Sequence, residues 1–291
     1  MTSKDIKDFF VGAYNGISIY IGDTIIWPIC KLLNWVDQEF RSIIAYRYFG
    51  GNLDMTSCDV SSITSLESAL ASSTVSYIED ISKFTNVVTL AGMCERCFYL
   101  ESTSCTFPST VYSCSYMFAG AKSRFIGYID ANNCINFKGM FSNSEFTDAP
   151  DIRFKHYTTK VGEGFINPDI MFRGATNLTS IPEYDASGWY FLDNGFLGYP
   201  SDTFTYDRLT HIGGFKDLGF NTLPNPTLFL GKCPSLNNQS VQNIISKVYN
   251  DPESPSNGTI VFHSDVYDNI TEDQFALAAS KKWFIERYIN D

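Results

Sequence analysis

One segment, Met171-Phe172-Arg173-Gly174-Ala175-Thr176-Asn177-Leu178-Thr179-Ser180-Ile181-Pro182, recurs in degenerate form through the middle of the chain. Its anchors Leu70, Met93, Met117, Met140 and Met171 lie 23, 24, 23 and 31 residues apart by subtraction, and a sixth copy is expected near Gly195-Phe196. Four residues beyond each anchor stands a small or thiol side chain: Thr74, Cys97, Ala121, Ser144 and Ala175. Later copies add an apolar-x-x-apolar turn closed by Pro or Gly, as in Phe146 to Pro150, Leu178 to Pro182 and Leu209 to Gly213. A unit this short cannot enclose its own apolar face, so it must bury that face against copies of itself. The small residue then marks the tightest point of each copy, where a longer side chain would overpack.

That spacing falls in or near the leucine-rich-repeat range of roughly 20 to 29 residues. The fold class expected is an α/β repeat: a leucine-rich-repeat-like solenoid with an N-terminal β-hairpin/helix region and a small α/β C-terminal cap. Residues 1–45 form the N-terminal attachment or capping region in this reading, 46–238 the repeats and 239–291 the cap. At the N-terminal end, Ile17 to Ile21 and Thr24 to Trp27 read as two β runs joined at Gly22-Asp23, a strong hairpin signal. Apolar periodicity from Lys31 to Tyr46 predicts a helix lying over the first copy. At the other end, Ser240 to Tyr249 is predicted helical, starting from Asn238 or Ser240. A strand follows over Gly258 to His263. Thr271 with Gln274 matches a capping box that opens a helix toward Lys281, and a last strand is expected around Trp283 to Tyr288.

A hydrophobic content of 44% with 18% charged residues is too apolar for disorder. The net charge of −11 and the lack of a basic stripe argue against a nucleic-acid partner, which needs clustered Lys and Arg. The first residues lack a cationic n-region and long apolar run, and the stretch Ile17 to Leu33 is broken by Gly22-Asp23, Pro28 and Lys31. No membrane insertion is expected, and a complete product of this kind would fold in a cytoplasm. Cys94-Glu95-Arg96-Cys97 has metal-knuckle spacing but no second pair, and Cys97 falls on the small-residue position, so buried free thiols are expected. His156, His211 and His263 are scattered, and nothing in the spacing of Asp148, Asp151 and Glu163 selects a glycosidase pair. The expectation is no catalytic residue, no metal site and no cofactor. The 24 Phe and 17 Tyr are expected mainly as core, with an exposed aromatic surface as the functional alternative.

The copy Met171 to Pro182 and the segment Cys233-Pro234-Ser235-Leu236-Asn237-Asn238-Gln239-Ser240-Val241-Gln242-Asn243-Ile244-Ile245 closely resemble the BspA-like leucine-rich repeats of Bacteroides-type gut bacteria and of their phages. The family unit reads Met-Phe-x-x-Cys-x-x-Leu-x-x-Ile-Pro, and the resemblance spans roughly Asn52 to Trp283. Cys94 departs from it where Phe is expected, and the Met140 copy carries extra residues around His156 to Phe165. The resemblance implies interaction rather than chemistry: surface or adhesion proteins in bacteria, particle proteins in phages. The expectation taken forward is a non-enzymatic structural virion protein, tail- or capsid-associated, located in the virion after assembly in the host cytoplasm. Its partners would be other virion proteins and a host surface glycan or protein, with homo-oligomerisation open. A bacterial adhesin and a tail-associated polysaccharide-degrading enzyme are the alternatives. Attachment is assigned to the apolar, β-prone hairpin residues Ile19, Tyr20, Ile21, Ile25, Ile26 and Trp27, against the alternative that the hairpin packs on the first copy.

Overall fold

The computed structural model describes residues 19–21, 24–26, 51–53, 60–73, 75–78, 81–100, 105–122, 128–158, 166–189, 195–220, 226–250 and 257–289. Strands β1 (Ile19–Ile21) and β2 (Thr24–Ile26) form the expected antiparallel hairpin, with Tyr20 opposite Ile25. The helix expected over Lys31 to Tyr46 lies outside the described residues.

The expected α/β leucine-rich-repeat-like solenoid is not what the chain forms. Among the described residues there are three helices, all C-terminal to residue 237, and the strands are short pieces gathered in separate small sheets. β3 (Gly51–Leu53) pairs with β4 (Val75–Ile78), and β5 (Cys105–Thr106), β6 (Tyr128–Asp130) and β7 (Asp151–Arg153) form a parallel three-stranded sheet. β8 (Ser180–Ile181) pairs with β10 (His211–Ile212), and β9 (Tyr184–Asp185) with β11 (Phe215–Lys216), both in parallel. Elsewhere successive copies touch through isolated parallel bridges running Ser65, Thr89, Ser113, Asn136, Asn167.

Turn chemistry explains why neither long strands nor helices develop there. The side chains of Ser65, Thr89, Asn136 and Asn167 each accept the backbone N–H two residues on, at 3.2, 3.2, 3.2 and 2.9 Å. Such side-chain turns divert the backbone from both helix and ladder. Two left-handed residues four apart then follow in the first five copies: Ser68 and Ser72, Gly92 and Arg96, Tyr116 and Gly120, Gly139 and Asn143, Ile170 and Gly174. A positive φ four residues after another cannot be absorbed by a regular helix.

The same pairs correct the register of the first copy. Leu70 donates its N–H to Met93 O as Cys94 does to Met117 O and Phe118 to Met140 O, so Leu70 matches Cys94 and Phe118, and Ala69 is the residue equivalent to Met93. The small position becomes Ser73 rather than Thr74, and its hydroxyl lies 3.6 Å from the Cys97 thiol. Leu70 and Ala69 are both buried, so hydrophobicity alone did not separate them.

Rings fill the interior. Phe118 stacks on Phe141 at 5.7 Å, Phe141 on Phe172 at 5.2 Å, and Phe172 meets Phe196 edge-on at 4.9 Å, all fully buried. Phe196 therefore continues the ring column at the position expected for the sixth copy. Phe154 packs edge-on against Tyr184 and Trp189 and keeps the start of the longer segment after Met140 on the core; residues 159–165 lie outside the described residues.

The C-terminal region matches its sequence signals closely. α1 (Asn238–Lys247) is capped by Asn237, one residue before the expected start, and buries Val241, Ile244 and Ile245. β13 (Gly258–His263) leads through α2 (Ser264–Tyr267) to α3 (Glu272–Ser280), which opens on the Thr271/Gln274 capping box, and β14 (Trp283–Tyr288) follows. A strand that the sequence did not reveal, β12 (Thr227–Leu230), completes a parallel sheet in the order β12, β13, β14. Its signal was masked by Pro224 and Pro226 immediately before it.

Candidate functional surface

Of the residues assigned to attachment, Ile19, Tyr20, Ile21, Ile25 and Ile26 lie on the paired strands β1 and β2, and Trp27 lies outside the described residues. Their backbone arrangement is a hairpin, which is compatible with attachment and with packing alike.

The exposed large hydrophobics fall mostly on two adjoining copies: Val88, Phe98, Tyr99, Tyr112 and Tyr116, with Tyr99 at 64% and Tyr112 at 53% exposure. Backbone bonds fix their register. Val88 donates to Thr64 O, Tyr112 to Val88 O, and Ile135 and Asn136 to Tyr112 O, so Val88 and Tyr112 occupy the same position in neighbouring copies. Tyr116 lies over Gly139, where an added Cβ would come within 2.4 Å of the ring. Lys122 Nζ sits 5.5 Å above the Phe98 ring while pairing with Glu145 at 3.0 Å. Aromatic rings held outward by a rigid repeat suit contact with a protein or a sugar face, since they bring contact area at low entropic cost.

The polar side chains weighed as catalytic candidates are tied into hydrogen bonds within the fold where the structure describes them. His156 Nδ1 lies 2.6 Å from Asp185 Oδ2, and Ser187 Oγ donates to Asp185 Oδ1 at 2.6 Å while accepting the Tyr157 N–H at 2.8 Å. Ser187 is fully buried, and its hydroxyl makes its short bond to the carboxylate, with His156 Nδ1 farther away at 3.4 Å. An activated serine needs the reverse, with the imidazole taking its proton. This network instead pins residues 156 and 157 onto β9. Among the carboxylates, Asp148 is held below the usual value by the Ser180 hydroxyl, with Thr147 and Thr179 adding to the effect. A carboxylate so stabilised in its ionised form is a poor general acid. Asp151 begins β7, and Glu163 lies outside the described residues.

Sequence reasoning missed a narrow cleft between Leu197 and Cys233, lined by Tyr199, Asp202, Phe204, Tyr206 and Lys232 among others. At its edge Arg173 binds Asp202 through two bonds of 2.9 and 2.7 Å, lies 5.7 Å from the Tyr199 ring and 5.5 Å from that of Phe204. Arg173 lowers the Asp202 carboxyl, and burial raises the Cys233 thiol and the Tyr206 hydroxyl. The Tyr206 hydroxyl accepts from Gly174 N at 2.9 Å and donates to Phe172 O at 3.1 Å or to Leu197 O. With room for about 10 Å³, the cleft is far below ordinary small-molecule sites of about 300 to 1,000 Å³, and Asp202 is already paired with Arg173. A wider polar groove of about 400 Å³ lies between α1 and α3, bordered by Asn238, Gln239, Gln242, Thr271, Asp273 and Gln274.

Cys94, Cys97, Cys105, Cys114, Cys134 and Cys233 are buried and free, as the repeat position of Cys97 implied. No group of three or more His, Cys, Asp or Glu side chains capable of holding a metal occurs among the described residues. Nor is any helix among them long and apolar enough to cross a membrane. Comparison with family models, curated proteins and solved structures gives no match.

Proposed function

We propose that this chain is a non-enzymatic structural protein of a bacteriophage particle, tail- or capsid-associated, and that its repeats present an aromatic contact surface. The observation that carries the interaction part is the exposure of Phe98, Tyr99, Tyr112 and Tyr116 on adjoining copies while the rings of the Phe118 to Phe196 column are buried. The phage assignment draws on the resemblance of the Met171 to Pro182 copy to BspA-like repeats. The surface contacts a neighbouring particle subunit or a host glycan or protein. Tyr99→Ala with Tyr112→Ala tests this, because both side chains stand largely clear of the core. The expected result is at least tenfold weaker binding to particles lacking the chain or to intact host cells, with an unchanged melting temperature. Undiminished binding by the folded variant removes the aromatic surface from the proposal.

A further inference from the structure

The cysteines of the repeats are not distributed evenly. Cys114 and Cys134 lie in neighbouring copies, 20 residues apart in sequence, and their sulfur atoms approach to 3.2 Å. Both side chains are 0% and 1% exposed, and the Cys114 thiol also lies 3.7 Å from the Met140 sulfur. Backbone bonds hold the pair on both sides: Cys114 N–H donates to Asn136 O at 2.9 Å and Cys134 N–H to Ala131 O at 2.9 Å. Two sulfurs this close need a movement of only about 1 Å to reach the bonding distance of ~2.05 Å. Cys97 also bonds the Cys94 thiol within its own copy, while donating to Leu70 O at 3.1 Å and lying against Ser73.

We infer that Cys114 and Cys134 are a modification site, forming an intrachain disulfide that fastens two neighbouring copies when the chain meets a disulfide oxidant of the glutathione class. One thiolate attacks the oxidant's sulfur and expels a glutathione thiolate; the second attacks the resulting mixed disulfide and expels another. The two protons lost by the cysteines are taken up by the two released glutathione thiolates, and the oxidant gains the two electrons. Burial raises the Cys114 thiol, so the reaction waits on local opening and is slow in the native state. The reduced pair persists in a glutathione-reduced compartment and closes outside it.

The test uses the full chain equilibrated for days with oxidised glutathione, then alkylated and digested without reduction. Tryptic cleavage at Lys122 and Arg124 separates the two cysteines. The expected result is a linked peptide pair whose fragmentation places the bond between Cys114 and Cys134, with a melting temperature roughly 6–12 °C higher that dithiothreitol reverses. Cys134→Ser abolishes the shift and Cys233→Ser retains it. Full alkylation of both thiols after this exposure, or linkage of either to a different cysteine, overturns the inference, and the wild-type peptide map decides this even if Cys134→Ser fails to fold.

Discussion

Gly139 shows how a single missing side chain sets the approach of two copies. Its φ of +60° is open to glycine, and Tyr116 from the preceding copy lies where a Cβ would be. The same alternation recurs where Arg96 lies against Gly120 and Asn143 against Gly174. Gly139→Ala is expected to cost about 2 kcal/mol or more from the left-handed backbone and the contact together. In a Tyr116→Ala background the backbone cost remains but the clash is gone, so the double variant should be less destabilised than the sum of the singles in urea titrations; strict additivity would contradict the contact. At Tyr206 the hydroxyl serves the Gly174 N–H and two buried carbonyls. Tyr206→Phe leaves those groups without it and should cost about 1–3 kcal/mol by the same measurement. Neither residue was legible as important in the sequence. Tyr116 and Gly139 are 23 positions apart by subtraction, and their meeting depends on a register that only backbone bonds reveal. The His156, Asp185 and Ser187 network was hidden for the same reason, since its members come from separate copies.

At the level of elements, local signals were read more reliably than long-range ones. The capping box of α3, the spans of β13 and β14 and the β1–β2 pairing follow from adjacent residues, and each was legible. The Thr271 hydroxyl accepts the Gln274 N–H at 3.3 Å while Gln274 Oε1 accepts the Thr271 N–H at 3.0 Å. Thr271→Ala should therefore destabilise the C-terminal sheet-and-helix region by about 1 kcal/mol, read as earlier hydrogen exchange across α3. Equal protection in variant and parent would show that the cap is not limiting. The repeats were misjudged at this scale because periodicity shows that copies contact one another but not what backbone each adopts. Ser, Thr and Asn at the bridge positions, followed by paired left-handed residues, favour turns over the regular α/β repeat that was expected.

Across the whole molecule, acidity of the chain and its paired carboxylates set its response to pH. Asp202 is lowered by Arg173 and Asp148 by the Ser180 hydroxyl. A carboxyl lowered on folding contributes stability above its unfolded value, near pH 4, and loses it as pH falls through the lower folded value. Melting temperature should thus fall on acidification below about pH 4, and Asp202→Asn should make that fall shallower; an unchanged pH profile in the variant would place the acid sensitivity elsewhere. The proposed particle role rests on the outward aromatics and on the resemblance of the Met171 to Pro182 copy to BspA-like repeats. Quantitative mass spectrometry of particles purified from a phage that encodes this chain addresses that most directly. Peptides spanning its repeats, present in fixed ratio to the major capsid or tail protein through successive purification steps, are the expected result. Their absence from purified particles, with the chain abundant in the infected cell, would contradict it.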